Sequence, residues 1–179
     1  MIIAKSQRLT LRHLSRSDAE FILHIYNTEG FLRFIGDRNI RSLSDARDFL
    51  TGGPLKMYKE HGISLYRVEH NDSGKVVGLC GLIKRDTLDD IDLGYAFLPE
   101  HCGNGYALEA AKLSLDYAKA KLGLDRVVAI TQVDNLASIS LLKKLGMQRE
   151  GSYVNGAGQK EEVEIDIYGL NLRHIKEAS

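Results

Sequence analysis

Apolar and polar residues alternate at period two over Leu9-Thr10-Leu11-Arg12, the pattern of a half-buried strand. Ser17-Asp18-Ala19-Glu20 then has the form of a capping box, with Ser17 as N-cap, and predicts a helix through Tyr26. A second helix start lies at residues 42–45, with its stop expected at Gly52-Gly53. Residues 63–68 and 75–83 read as strands joined across Asn71-Asp72-Ser73-Gly74, whose composition suits a hairpin turn. The next strand, 91–98, is closed by Pro99. Beyond it Leu108, Ala111, Leu115, Ala118 and Leu122 recur at three/four spacing, which predicts a helix with one buried stripe. Residues 126–133 are rich in β-branched side chains and read as a buried strand. Asn135 caps a helix to Gly146, with Leu141, Leu142 and Leu145 as its main apolar residues. Two strands finish the pattern. In the last, Val163, Ile165 and Ile167 alternate with Glu162, Glu164 and Asp166, so one face is expected to be buried and the other solvated. The tail from Asn171 is polar and expected to be only loosely ordered beyond its first turn.

The chain has 179 residues, enough for one well-packed core, so a single domain is expected over 1–179 with its core at about 8–170. Lys plus Arg and Asp plus Glu are balanced at 24 each, so no overall field attracts nucleic acid or an anionic membrane. Only Cys80 and Cys102 are present, which argues against a secreted disulfide framework and for a cytoplasmic setting. The start, Met1-Ile2-Ile3-Ala4-Lys5-Ser6, has no basic region leading into a long apolar run, and no stretch approaches the roughly 20 apolar residues of a membrane span. The six histidines are scattered without metal-ligand spacing, so no metal is expected.

The stretch with most chemistry is His101-Cys102-Gly103-Asn104-Gly105-Tyr106-Ala107. A strand ending at Pro99 and running through a Gly-rich turn into a helix aims unpaired backbone N–H groups at one point, where the helix dipole also favours an anion. Gly103 and Gly105 carry no Cβ and let the backbone approach a phosphate or pyrophosphate closely. A dinucleotide fingerprint would want a third Gly where Leu108 stands, and a P-loop would want Lys-Ser/Thr. On the Gly spacing alone, a tight turn with the glycines serving geometry only is an equal reading. A second constellation follows residues 126–133: Asn135, Ser138, Lys144 and Gly146. Asn135 and Ser138 are three apart and so share one side of the first helical turn, where a carboxamide and a hydroxyl can meet the amides of an extended ligand. Helix capping is the competing role for both.

In order and spacing these stretches resemble the GNAT N-acetyltransferase superfamily, specifically its RimJ/RimL-like branch, which acetylates protein N-termini and related amines. The resemblance runs from Arg8-Leu9-Thr10-Leu11-Arg12 through Ile35-Gly36-Asp37, Asp92-Leu93-Gly94-Tyr95, Gly103-Asn104-Gly105-Tyr106-Ala107-Leu108-Glu109-Ala110 and Asn135-Leu136-Ala137-Ser138 to Lys144-Leu145-Gly146-Met147. It implies an α/β (α+β) fold: a mixed, mostly antiparallel central sheet with a splayed parallel pair, flanked by helices. It implies acetyl-coenzyme A as cosubstrate, its pyrophosphate held by the backbone of Cys102, Gly103, Asn104, Gly105, Tyr106 and Ala107. Freed strand backbone near Phe97 and Leu98 would pair with the pantetheine arm like an added strand. Asn135, Ser138 and Lys144 are assigned to the cofactor as well, Asn135 and Ser138 lying towards the pantetheine and thiol end.

The sequence departs from the family pattern at three places. Cys102 stands where Gln or Arg usually begins the turn. Leu142 replaces a Tyr often positioned to protonate the departing thiolate, and Met147 replaces an aromatic. For chemistry, the attacking amine must lose a proton, and Asp92, at a position where the family often has Glu, is the candidate acceptor, with a bridging water for its shorter reach. Its competing reading is a solvated carboxylate in the run Asp89-Asp90-Ile91-Asp92. A strand N–H near Phe97 is the candidate donor to the thioester oxygen, and Ser138 or water the candidate donor to the thiolate. Cys102 belongs to the phosphate turn, so no covalent acyl-enzyme is expected. The expected function is acetyl transfer from acetyl-coenzyme A to a primary amine, most naturally a protein or peptide N-terminus. Acetylation of a polyamine, amino sugar or antibiotic, and non-catalytic sensing of acyl-coenzyme A, are the alternatives. Arg38, Asp37 and Tyr153, in segments 31–41 and 153–160, are candidates to line the acceptor cleft, and the chain is expected to be a monomer or homodimer.

Overall fold

In the computed structural model the described residues are 1–155 and 162–174. Strands β1 (Ile2–Lys5) and β2 (Leu9–His13) form the first hairpin. Ser15 opens a short 3-10 turn, Arg16–Asp18, through a capping box in which Asp18 closes back on Ser15, with Ser15 N–H donating to Asp18 Oδ2 at 2.7 Å. The cap is therefore two residues earlier than the sequence pattern suggested: Ser15-x-x-Asp18 has the same box spacing as Ser17-x-x-Glu20, and the partly buried carboxylate takes it. Helix α1 (Ala19–Ile25) follows, then α2 (Glu29–Phe34), which the sequence reading did not contain.

Ser42 accepts from the N–H of Asp45 and caps α3 (Leu43–Leu50) as expected. The helix does not stop at Gly52-Gly53. Both glycines keep helical backbone, the missing N–H of Pro54 falls inside a wider π turn (Thr51–Leu55), and the rod continues as α4 (Lys56–His61) to Gly62 at φ +71°. Glycine permits a helix stop but stops one only where a left-handed turn completes the cap, as at Gly62.

The remaining elements are β3 (Leu65–His70), β4 (Val76–Ile83), β5 (Asp92–Phe97), α5 (Tyr106–Ala120), β6 (Arg126–Gln132), α6 (Leu136–Lys144), β7 (Gln148–Asn155) and β8 (Val163–Asn171). They build one eight-stranded sheet in the order β1-β2-β3-β4-β5-β6-β8-β7. Every pairing is antiparallel except β5 with β6, where a single register position, Asp92 opposite Val128, makes a parallel contact. The mixed, mostly antiparallel sheet with one splayed parallel pair is thus as expected. No described helix is long and apolar enough to cross a membrane.

Two cores sandwich the sheet. On one face α5 and α6 bury Ala110, Ala111, Leu115, Ala118 and Leu142 against Val127, Ala129 and Tyr168. On the other, α1, α2 and α3 bury Ile22, Ile25, Tyr26, Phe31 and Leu50 against Leu79 and Leu98. The stripe on α5 keeps Ala111, Leu115 and Ala118 buried as expected and widens to Ala110 and Ser114, while Leu108 is only half-buried and Leu122 lies past the helix end.

One expectation for the C-terminal end is corrected. Asp166 is buried, held by Arg149 at 2.7 Å, so the polar face of β8 is not simply solvated. Leu172 is fully buried and its N–H donates to Asp125 O at 2.8 Å, which ties the chain past Asn171 into the core. One apolar side chain at a helix-like offset outweighs the polar average of the segment.

Candidate active site

The cleft begins where β5 and β6 part. Leu98 N–H donates to Val77 O, so in the antiparallel ladder with β4 the even-numbered residues of β5 face β4 with their backbone groups. The odd-numbered ones, Tyr95 and Phe97 among them, point theirs the other way, to the side β6 has left. Val128 N–H still reaches Ile91 O at 2.9 Å at the closed end. The result is a V with its floor at Asp92 and its open end at Phe97. Leu98 itself is buried and its N–H is used inside the sheet, so of the expected pair only Phe97 offers a free edge.

At the open end a 3-10 turn, Pro99–His101, leads into the Gly-rich turn. Gly103 and Gly105 both adopt positive φ, +81° and +77°, which a residue with a Cβ reaches only under strain. Gly105 is the N-cap of α5 and no side chain caps the helix, so its first-turn N–H groups stay open to a ligand. The N–H of Cys102 is already given to Pro99 O, and the Asn104 side chain donates to His101 O and Cys102 O. Cys102 and the Asn104 side chain therefore shape the turn, and the backbone donors left free start at Gly103.

Arg8, whose role the sequence reading did not identify, fixes this turn from outside. Its guanidinium donates to Asn104 O at 3.0 Å and to Glu109 Oε2 at 2.7 Å, and lies over the Tyr106 ring. Glu109 sits in the first turn of α5, where its charge would oppose a bound phosphate. Arg8 neutralises it, and Ser6 donates to its other oxygen at 2.6 Å.

On the α5/α6 face of the V, Asn135 Oδ1 accepts from Ser138 N–H at 3.2 Å, so the capping role expected as the alternative for Asn135 is present. Ser138 Oγ stands 2.6 Å from the Tyr95 hydroxyl. Tyr95 was also missed as a candidate, although strand alternation places it on the face opposite Asp92, the side where Ser138 lies. Burial pushes its phenol pKa up, so the ring stays neutral. Leu142 is fully buried in the core, and nothing at that position faces the cleft. Lys144 is exposed in the last turn of α6, nine residues and about 13 Å of helix from Asn135.

The opposite face carries Asp92, Gly94 and Ala96 of β5, Val128, Ile130 and Gln132 of β6, and Ile165 and Tyr153 across β8 and β7, as the registers require. Asp92 is not a solvated carboxylate: its side chain is 1% exposed, Oδ2 takes Arg85 Nε at 2.5 Å, and Oδ1 has no partner among the described residues. Burial raises its pKa, and the Arg85 charge and hydrogen bond and the backbone of Ile130 oppose that rise without cancelling it. Arg85 charge also acts on the Tyr26 and Tyr153 phenols, and Arg38 on Tyr26, so these side chains share one side of the sheet with Asp92. Asp37 is engaged with Arg41. Of the two acceptor segments, 31–41 is described, and Gln132 ties it to the sheet by donating to Arg33 O at 3.2 Å. Of 153–160 only 153–155 lie within the described residues.

A V-shaped strand split, a Gly turn opening a helix at its mouth and a carboxylate at its floor agree with what the family resemblance implies. Residues 8–148 match the acetyltransferase (GNAT) domain family. The chain belongs to the GNAT N-acetyltransferase family. It is 32% identical to the N-acetyltransferase YoaA of Bacillus subtilis over 83% of this chain and 84% of that one. It is 24% identical to the spermidine N(1)-acetyltransferase of Vibrio cholerae over 83% and 84% of the two chains. The crystal structure of RimL, a ribosomal L7/L12 alpha-N-protein acetyltransferase, superposes with a TM-score of 0.80 at 17% identity, covering 96% of this chain and 94% of that one. This GNAT enzyme is accordingly an acetyl-coenzyme A-dependent N-acetyltransferase.

Proposed function

We propose that this GNAT enzyme acetylates the N-terminal amine of a protein or peptide by direct attack on acetyl-coenzyme A, in the cytoplasm. The observation that carries the catalytic reading is the V between β5 and β6, which gathers a free strand edge, an uncapped helix N-terminus and a buried carboxylate within one cleft. The pyrophosphate is assigned to backbone donors of Gly103 through Ala107, with Lys144 an outlying cation. The pantetheine is assigned to the edge of Phe97 and to Asn135.

The amine attacks the thioester carbon, the carbon–oxygen π pair moves to oxygen, and a backbone N–H on the freed edge near Phe97 stabilises that charge. Asp92 takes the proton the nitrogen loses. Because Oδ1 is shielded from solvent, this step uses a water admitted with the acceptor, in keeping with a side chain one carbon shorter than Glu. Collapse of the intermediate breaks the carbon–sulfur bond with its pair on sulfur, and the Ser138 hydroxyl donates a hydrogen bond to the thiolate, which is finally protonated from water.

Acetylation of a small polyamine is the second reading, supported by the spermidine-acetylating relative. The deciding experiment is thiol release from acetyl-coenzyme A with a panel of N-terminal peptides and small amines, for wild type, Asp92→Ala and Asn135→Ala. Peptide-dependent release that is lost in the Asp92 variant and weakened in the Asn135 variant supports the proposal. Release only with polyamines moves the function to the second reading, and cofactor binding without release for any amine makes the protein a sensor.

A further inference from the structure

Three carboxylates around the acceptor segment and the strand split are each held by an arginine: Asp37 by Arg41, Asp134 by Arg33 at 3.5 Å and Asp92 by Arg85 at 2.5 Å. Asp166 is held by Arg149, and both it and Glu164 lie on the opposite face of β8 from Ile165, so neither serves this side. Arg38 is exposed and has no ion-pair partner among the described residues.

Arg85 is tethered in one way only. Its Nε is given to a carboxylate that is 1% exposed, while its two Nη groups have no partner among the described residues and its side chain is 30% exposed. A buried acid thus fixes the root of a planar guanidinium and leaves its outer edge, the edge that recognises oxygen pairs, without a partner among the described residues. A solvated surface arginine would lack such an anchor.

We propose that Arg85 is a specificity-determining residue whose Nη groups take the carbonyl or carboxylate oxygen next to the acceptor amine, so that the site selects α-aminoacyl acceptors and disfavours polyamines. The inference rests on the transferase reading above and adds the feature of the acceptor that is read. An α-aminoacyl head offers an amine and, three bonds away, an oxygen acceptor. A polyamine offers donors and positive charge only, and the Arg85 guanidinium gives such a group no acceptor. Loss of a charge-assisted hydrogen bond of this kind corresponds to roughly a 10- to 100-fold change in kcat/KM.

The test compares three acceptors: an N-terminal alanyl tripeptide, an alkylamine of matched length without the carbonyl, and spermidine. Rates are normalised to the unprotonated fraction of each amine. Wild type is expected to favour the tripeptide by about 10-fold or more over both others. Arg85→Gln is expected to lower the rate on every acceptor through the loss of its contact with Asp92, and to lower the tripeptide value further, bringing tripeptide and alkylamine within about 3-fold with KM for acetyl-coenzyme A unchanged. Arg85→Lys, which keeps the charge beside Asp92 and so guards against misfolding, is expected to fall between. Equal use of spermidine by wild type, or an equal loss on all three acceptors in both variants, overturns the inference while leaving the transferase reading intact. Cofactor binding with no thiol release on any acceptor overturns the transferase reading itself and the inference with it.

Discussion

Tyr95→Phe removes one oxygen from the cleft and nothing else. That oxygen lies 2.6 Å from Ser138 Oγ, and Ser138 is only 9% exposed, so water replaces the lost partner poorly. A net hydrogen bond of this kind contributes about 0.5–1.5 kcal/mol, and leaving a buried hydroxyl unpaired costs about 1–3 kcal/mol. A loss of about 1–2 kcal/mol is therefore expected, equivalent to roughly 2–8 °C in Tm for a chain of this size. Ser138→Ala removes the same bond from the other side, so the two changes should not add. In a double-mutant cycle read by chemical denaturation, the coupling is expected at about 1 kcal/mol, above the roughly 0.3–0.5 kcal/mol seen for independent sites. The same four proteins are assayed for thiol release. If Tyr95 orients Ser138 towards the leaving sulfur, each single variant lowers kcat with KM for acetyl-coenzyme A kept, and the double variant is no slower than the slower single. Additive effects on both stability and kcat would refute the pairing.

Arg8→Ala should raise the KM for acetyl-coenzyme A by several-fold or more, since it frees Asn104 O and leaves the Glu109 charge at the phosphate turn unbalanced; the cofactor titration checks this, and Glu109→Gln in the same background should restore part of the loss. Gly105→Ala forces a Cβ onto φ +77° and is expected to cost about 1 kcal/mol or more of stability and to weaken cofactor binding, measured by denaturation and calorimetry. The acid limb of kcat/KM should lie above the ordinary carboxylate range, because burial raises the Asp92 pKa and the deprotonated form is the active one; Asp92→Asn should abolish that limb together with most of the rate. The raised Asp92 pKa also acts on stability: its contribution is full below the unfolded pKa and is lost as pH rises through the folded one, so the Asn variant should lose less stability across that window than wild type.

Seven of the eight strands were legible because they alternate or run apolar and are bounded by turn residues, β1 was not because four residues at the start are too short to show a pattern, and the parallel split was legible only through the family resemblance, since no strand records its neighbour. The Gly turn and Asn135 were found because glycine and a capping side chain announce backbone geometry at the residue itself. Helix α2 was not, because six residues around Gly30 carry too little periodicity to stand out. The run through Gly52-Gly53-Pro54 was read as a stop for a related reason: the helix survives there through packing of Leu50 and Pro54, which local propensity does not contain.

The site residues that went unread share one property: each acts across the chain. Arg8 reaches Asn104, Tyr95 reaches Ser138, and Arg85 meets Asp92 across the loop between two strands. Their partners are fixed by which strand edges and helix ends the sheet brings together, so a linear pattern holds no trace of them. Asp92 shows the consequence most plainly. In sequence it is one acid of an acidic run, and its competing reading was a solvated one. In the fold its neighbour Asp90 pairs with Arg126 at the surface, whereas Asp92 turns to the floor of the V, where loss of water raises its pKa and Arg85 and the backbone of Ile130 only partly oppose that rise. The chemistry available to that carboxylate is set by the split between β5 and β6, because a fully paired strand would have left the cleft closed and the acid without an acceptor to meet.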